Sequence, residues 1–91
     1  MSVKVNIVYP HLKQLTGNQD AVNVDGNTVA ECLDRLVARF PAAKDNIFDQ
    51  QGKLLSFVYF FINGKAFYPP DLTTTLADGD EITIALLLAG G

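Results

Sequence analysis

Few groups in this sequence could do chemistry, and most of them lack partners. His11 is the single histidine and directly follows Pro10. With no nucleophile or carboxylate beside it, it reads as a surface loop residue rather than a base. Cys32 is the single cysteine, so an internal disulfide and an all-cysteine iron–sulfur cluster held by this chain alone are both excluded. Its spacing puts it on an apolar stripe, where a thiol acts as a small hydrophobe. Asp78, Asp80 and Glu81 lie close together but lack the ligand run and closing glutamate of a calcium loop, and they read as a solvated turn. No metal site is expected, and neither GxxxxGK[ST] nor GxGxxG is present to cradle nucleotide phosphates. What remains is the ending, Ala89-Gly90-Gly91. Two glycines make a poor close to a strand, because they lose much backbone entropy and pack nothing. They do give a chain end of minimal cross-section with an unhindered α-carboxylate.

The elements that would position such an end can be read in order. Val3, Val5, Ile7 and Tyr9 alternate with Lys4 and Asn6, the period of a half-buried strand that Pro10 stops. Residues 11–20 hold turn chemistry at Gly17-Asn18, and 21–24 read as a second strand, giving an N-terminal hairpin. Thr28 and Glu31 form a capping box ahead of Val29, Cys32, Leu33, Leu36, Val37 and Phe40, one apolar helical face closed by Pro41. Residues 42–51 read as loop with a short helical turn. Residues 54–62 read as a strand, followed by the hairpin signal Asn63-Gly64 and a return strand over 65–68 before Pro69-Pro70. Asp78-Gly79-Asp80 is a turn, and 81–88 form the last strand.

One helix among five strands must cover one face of one mixed sheet. The expected fold is therefore α+β: a β-grasp, ubiquitin-like mixed sheet of four to five strands covered on one face by a single main helix. Its first and last strands lie side by side in the middle. Residues 1–88 would form the domain and 89–91 a flexible Gly-Gly tail. On the last strand Ile82, Ile84 and Leu86 share the core face, which turns Thr83, Ala85 and Leu87 outward. On the third strand Val58, Phe60 and Ile62 face one way and Phe57, Tyr59 and Phe61 the other, so both faces are apolar. Unless 42–51 wraps round, Tyr59, Phe61, Ala85 and Leu87 form an exposed patch of the kind that marks an interaction site. Leu88 to Gly91 reach at most about 14 Å beyond the sheet. One partner could thus grip the body and receive the end in a narrow channel, where the Gly91 carboxylate is attacked or activated.

Composition limits the alternatives. The 91 residues are 48% apolar and 19% charged, enough to bury a small core in one domain. A net charge of −3 with no basic cluster argues against nucleic acid as a partner. The N-terminus lacks the charged and apolar regions of a signal peptide, and the apolar runs 57–62 and 84–89 are far too short to span a membrane, so the cytoplasm is the expected compartment.

The pieces in this order resemble the ubiquitin-like sulfur carriers of the MoaD/ThiS superfamily. VNIVYPHLKQLTG is similar to the family's first strand and Leu-Thr-Gly turn, TVAECLDRLVARFP to its helix, FINGKAF to its hairpin, LADGDEITI to the approach to its last strand, and AGG to its terminus. The molybdopterin synthase small subunit is the nearest group, although Leu86-Leu87-Leu88 stands where that group commonly carries two prolines. The resemblance implies a carrier, not an enzyme, with Gly91 as the reacting residue after Gly90. An E1-like adenylyltransferase would use ATP to convert the carboxylate to an acyl-adenylate, and a persulfide donor would supply sulfur to make a thiocarboxylate. A larger synthase subunit or other sulfur-accepting enzyme would receive it, gripping Tyr59, Phe61, Ala85, Leu87, Leu88 and Ala89. No cofactor would be bound by this chain itself. Molybdopterin synthesis is the first expectation; thiamine, cysteine or tRNA thiolation, a lysine-linked protein modifier, and a plain binding module are the others.

Overall fold

The computed structural model describes residues 2–67 and 69–86. Its elements are β1 (Ser2–Ile7), α1 (Pro10–Leu15), β2 (Ala21–Asp25), α2 (Val29–Arg39), a 3₁₀ turn (Pro41–Asn46), β3 (Val58–Ile62), β4 (Lys65–Phe67) and β5 (Glu81–Leu86). The five strands form one sheet in the order β2-β1-β5-β3-β4. Only β1 and β5 run parallel; β1–β2, β3–β4 and β3–β5 are antiparallel. This is the expected β-grasp, with the first and last strands adjacent and β5 at the centre.

Alternation builds the core. Val3, Val5 and Ile7, Val22 and Val24, Val58, Phe60 and Ile62, and Ile82 and Ile84 all turn to the same side and are buried there. Helix α2 covers that side with Val29, Cys32, Leu33 and Leu36, spaced as one helical stripe. Its amino end is closed by several parts of the chain. Glu31 N–H donates to Thr28 Oγ1 at 3.2 Å, while Val29 and Ala30 donate to the carbonyls of Thr74 and Leu72 at 3.1 and 2.9 Å. The Glu31 carboxylate accepts from the Asn27 amide at 2.7 Å, one residue before the one a standard capping box uses. These bonds occupy the first helical donors, so this terminus has none to offer an anion. At the other end the Arg39 guanidinium reaches the Asn23 carbonyl at 3.3 Å and ties α2 to the edge strand β2.

Two expectations change. The β1–β2 connection is not a bare turn but contains the six-residue helix α1. Pro10 presets its first helical position, buried Leu12 anchors it, and the Thr16 hydroxyl donates back to the Leu12 carbonyl at 3.1 Å. The third strand begins at Val58 rather than 54, because the preceding backbone is engaged elsewhere. Leu55 N–H donates to the Ile47 carbonyl, Leu54 bridges to Phe48, and Val58 N–H closes a turn onto Leu55. The 42–51 segment, which could have covered the expected patch, does not wrap the outer face. Ala43, Ile47 and Phe48 are buried with α2 in the core, on the helix side. The return strand is described to Phe67 and the last strand to Leu86.

Candidate functional site: the outward sheet face beside the last strand

Among the described residues no helix lies over the face opposite α2, and pairing sets which side chains share it. Tyr59 lies opposite Ala85, and Phe61 opposite Thr83 on one side and Ala66 on the other. The Tyr59 and Phe61 rings lie 5.5 Å apart, tilted by 47°, within the range of a favourable aromatic pair. Both are half-buried, as are Thr83 and Ala85. The structure thus brings Tyr59, Phe61 and Ala85 together on one face, half-buried rather than fully exposed. Leu87, Leu88, Ala89, Gly90 and Gly91, the other predicted site residues, lie outside the described residues, as does the boundary between a 1–88 domain and an 89–91 tail.

The face grades from polar to apolar along β5. At its start Lys4 pairs with Glu81, and the Asn6 amide donates to Glu81 Oε1 at 3.1 Å and Thr83 Oγ1 at 3.2 Å. Towards Leu86 the neighbours are Tyr59 and Ala85. Two residues outside the predicted set continue this trend. Val8 follows Ile7, whose parallel partner is Ile84, so Val8 stands level with Ala85. Phe57 precedes Val58, whose partner is Leu86, so it stands just past that residue. Val8 is 62% and Phe57 46% exposed, and they are the large hydrophobics that are exposed among the described residues. The outward parity of Lys4 and Asn6 carries on to Val8, a signal the sequence contains but the strand-ending Tyr9-Pro10 obscured.

The other chemically capable groups are committed to structure or isolated. His11 is exposed on the first turn of α1. Cys32 is fully buried, and burial pushes its thiol above the ordinary range, with the Glu31 charge adding to the effect. Asp80 is held below the usual carboxylate range, first by the Ala77 amide at 2.8 Å and then by the Asn63 side-chain amide at 3.0 Å. Asp78 Oδ1 accepts from the Ser2 backbone amide at 2.7 Å. These carboxylates brace turns, and no cluster of three or more metal-ligating side chains occurs among the described residues. Two surface grooves, about 380 and 410 Å³, lie on the helix side. One is lined by Asp25, Glu31, Asp34 and Arg35, the other by Val37, Ala38, Lys44 and Phe48; neither holds a nucleophile beside a base. Among the described helices none is long and apolar enough to cross a membrane.

A β-grasp sheet with an apolar outer face at the end of its central strand is the setting the sequence resemblance calls for. Residues 7–91 match the ThiS family. The chain belongs to that family, within the MoaD/ThiS superfamily. This ThiS-family protein is 33% identical over 97 residues to the sulfur carrier protein CysO of Mycobacterium tuberculosis, covering 100% of both chains. Its fold superimposes on the crystal structure of SAMP1 from Haloferax volcanii with a TM-score of 0.84 and 29% identity, covering 100% of both. It superimposes with a TM-score of 0.82 and 29% identity on a chain of the BexX/CysO complex of Amycolatopsis orientalis, covering 98% of this chain and 99% of that one. These relatives are named as a sulfur carrier protein and, for SAMP1, a small archaeal modifier protein.

Proposed function

We propose that this protein is a sulfur carrier whose reacting group is the α-carboxyl of Gly91. A carboxylate is a poor electrophile, so it needs a leaving group. An E1-like adenylyltransferase would supply one: a carboxylate oxygen attacks the α-phosphorus of ATP and pyrophosphate departs. A persulfide sulfur on a donor protein then attacks the acyl-adenylate and AMP departs. A thiol cleaves the resulting acyl disulfide, leaving the thiocarboxylate on Gly91. ATP is a substrate of the partner, and this chain, itself no enzyme, serves as co-substrate or small subunit in the cytoplasm.

The observation that carries this reading is the placement of the apolar outer face. Tyr59 and Ala85 pair near the end of β5, the strand that leads to Gly91, with Phe61 beside Thr83 two residues farther back. A partner seated there holds the body while the slender end enters its site. The likeness to a CysO chain crystallised in complex with BexX supports a partner enzyme. For the acceptor we propose molybdopterin assembly first, on the Leu-Thr-Gly turn and the AGG ending, with thiamine, cysteine or tRNA thiolation as alternatives. The deciding experiment is reconstitution with an E1-like enzyme, ATP and a persulfide donor. Deleting Gly91, or adding one bulky residue after it, abolishes sulfur loading and leaves the melting temperature unchanged. Loading that survives both changes rejects the proposal.

A second reading, conjugation to lysines of other proteins, is favoured by the SAMP1 likeness. It uses the same activated end. Gly-Gly remnants on lysines of cellular proteins, dependent on this chain, would support it.

A further inference from the structure

We propose that Asn63-Gly64, at the tip of the β3–β4 hairpin, is a self-modification site. The Gly64 amide nitrogen attacks the Asn63 side chain, and the bonds that fasten this side chain to β5 hold the reaction back. Once it has deamidated, the hairpin is no longer fastened in the same way, so the reaction limits the lifetime of the folded chain.

Asparagine is a thermally labile residue, most of all where the next residue leaves its own nitrogen unhindered. The other asparagines of the chain precede isoleucine, glutamine, valine or threonine, whose side chains crowd the attacking nitrogen; Asn63 alone precedes glycine. Both residues are exposed, and nothing stands near Gly64 on the side where a Cβ would project. In the reaction a bond forms between Gly64 N and Asn63 Cγ and the Cγ–Nδ2 bond breaks. Ammonia leaves with the proton that the Gly64 nitrogen gives up. Water then adds to either carbonyl of the cyclic imide and opens it to an aspartyl or isoaspartyl residue, whose carboxyl loses its proton to solvent.

In the folded chain both ends of the Asn63 carboxamide are held by β5. Its oxygen accepts from the Glu81 N–H at 3.0 Å and its nitrogen donates to Asp80 Oδ1 at 3.0 Å. The Asn63 backbone N–H adds a bond to the Glu81 carbonyl at 2.9 Å. Cγ reaches the Gly64 nitrogen only when the two side-chain bonds are broken, so the reaction proceeds from a locally opened hairpin. The product does not close it again. An aspartyl group removes the donor and sets a second carboxylate against Asp80, beside the Glu81 charge. An isoaspartyl group puts an extra backbone carbon into a two-residue turn with φ of 51° and 83°, which upsets the Ile62–Lys65 register.

The test ages the full chain at mildly alkaline pH and reads, by peptide mass, a gain equal to one NH2-to-OH exchange. The gain falls first on the peptide holding Asn63, slowly in the folded chain and about tenfold or more faster in guanidinium or in Asp80→Ala, where the shielding bond is lost. Cys32→Ala, which weakens the core away from the hairpin, keeps a rate near the parent's. Asn63→Asp, a stand-in for the aspartyl product, lowers the melting temperature by about 4–8 °C. Adding Asp80→Asn restores much of that loss, because the amide group now at position 80 donates to the carboxylate at position 63 and still accepts from Ala77. A folded chain that reacts as fast as the unfolded one, or a first gain at another asparagine, overturns the proposal. Equal acceleration by Cys32→Ala and Asp80→Ala does so too, since it assigns control to global unfolding. An Asn63→Asp chain as stable as the parent, or a double variant no more stable than Asn63→Asp, removes the claimed consequence and overturns it as well.

Discussion

Among the described glycines Gly26 leaves the least room for a side chain, and a single methyl group placed there tests how α2 is seated. A Cβ on Gly26 would stand 2.7 Å from Cys32 Sγ, 3.0 Å from the Cys32 backbone nitrogen and 3.3 Å from Glu31 Cβ. The first of these is shorter than any ordinary contact, and Cys32 is fully buried, so its sulfur cannot swing aside into solvent. The second involves helix backbone, which can yield only if the first turn of α2 shifts. That turn is bonded to Thr28, Thr74 and Leu72, so a shift would disturb those bonds too. Overpacking of this sort costs about 1–3 kcal/mol. Alanine would recover roughly 0.4–1 kcal/mol through the unfolded chain, because no left-handed backbone is needed at this position. The net expectation for Gly26→Ala is a loss of about 1–2 kcal/mol, or roughly 4–16 °C in melting temperature for a domain of this size. Cys32→Ala alone removes one buried atom and costs about 1 kcal/mol. In the double variant the sulfur contact is gone and only the backbone contact remains, so the two losses should fall short of their sum by about 0.5 kcal/mol or more. Urea and thermal unfolding of the four proteins measure this. A Gly26→Ala variant as stable as the parent, or strict additivity, would refute the steric reasoning.

Other consequences follow from single contacts. Burial pushes the Tyr9 hydroxyl, which donates to the Asn46 carbonyl, up to about 12. Its neutral form is thus favoured by folding; that stability is complete below the ordinary value near 10 and fades as pH rises towards 12. Alkaline unfolding curves of the parent should fall more steeply across that window than those of Tyr9→Phe, and identical curves would count against the burial. Asp80 has a depressed value, so its contribution is present above the ordinary carboxylate range and is lost as pH falls through the lowered value. Asp80→Asn should therefore flatten the acid limb of the stability curve, as followed by circular dichroism. Thr28→Ala removes the side-chain cap on Glu31 and should cost about 1 kcal/mol in denaturant titrations. Tyr59→Ala and Phe61→Ala, on a half-covered face, should weaken partner binding by about tenfold each, read by calorimetry, with smaller effects on folding.

Much of the architecture was legible because local chemistry and fold agree. Asn63-Gly64 takes the left-handed conformations a two-residue hairpin needs, with φ of 51° and 83°. Parity counted back from it assigned Tyr59 and Phe61 to the outer face correctly. Asn63 also did what no short-range rule shows: its side chain accepts from Glu81 N–H and donates to Asp80, locking the hairpin to the start of β5. Helix α1 was missed because six residues offer under two turns of periodicity, with Leu12 as the lone buried position. The start of β3 was misplaced because residues 54–62 contain no glycine or proline to stop a strand; it is set instead by hydrogen bonds to Ile47 and Leu55. Val8 escaped notice for a related reason. Its place beside Ala85 depends on the parallel pairing of β1 with β5, and no local pattern reveals that.

The central claim is that Gly91 carries the atom that reacts. Intact mass and C-terminal peptide mass, taken after incubation with an E1-like enzyme, ATP and a persulfide donor, address it most directly. A sulfur carrier shows a gain equal to one oxygen-to-sulfur exchange, confined to the peptide ending in Gly91 and dependent on ATP. An unaltered C-terminal peptide, produced by an enzyme that loads another carrier in the same vessel, would contradict it.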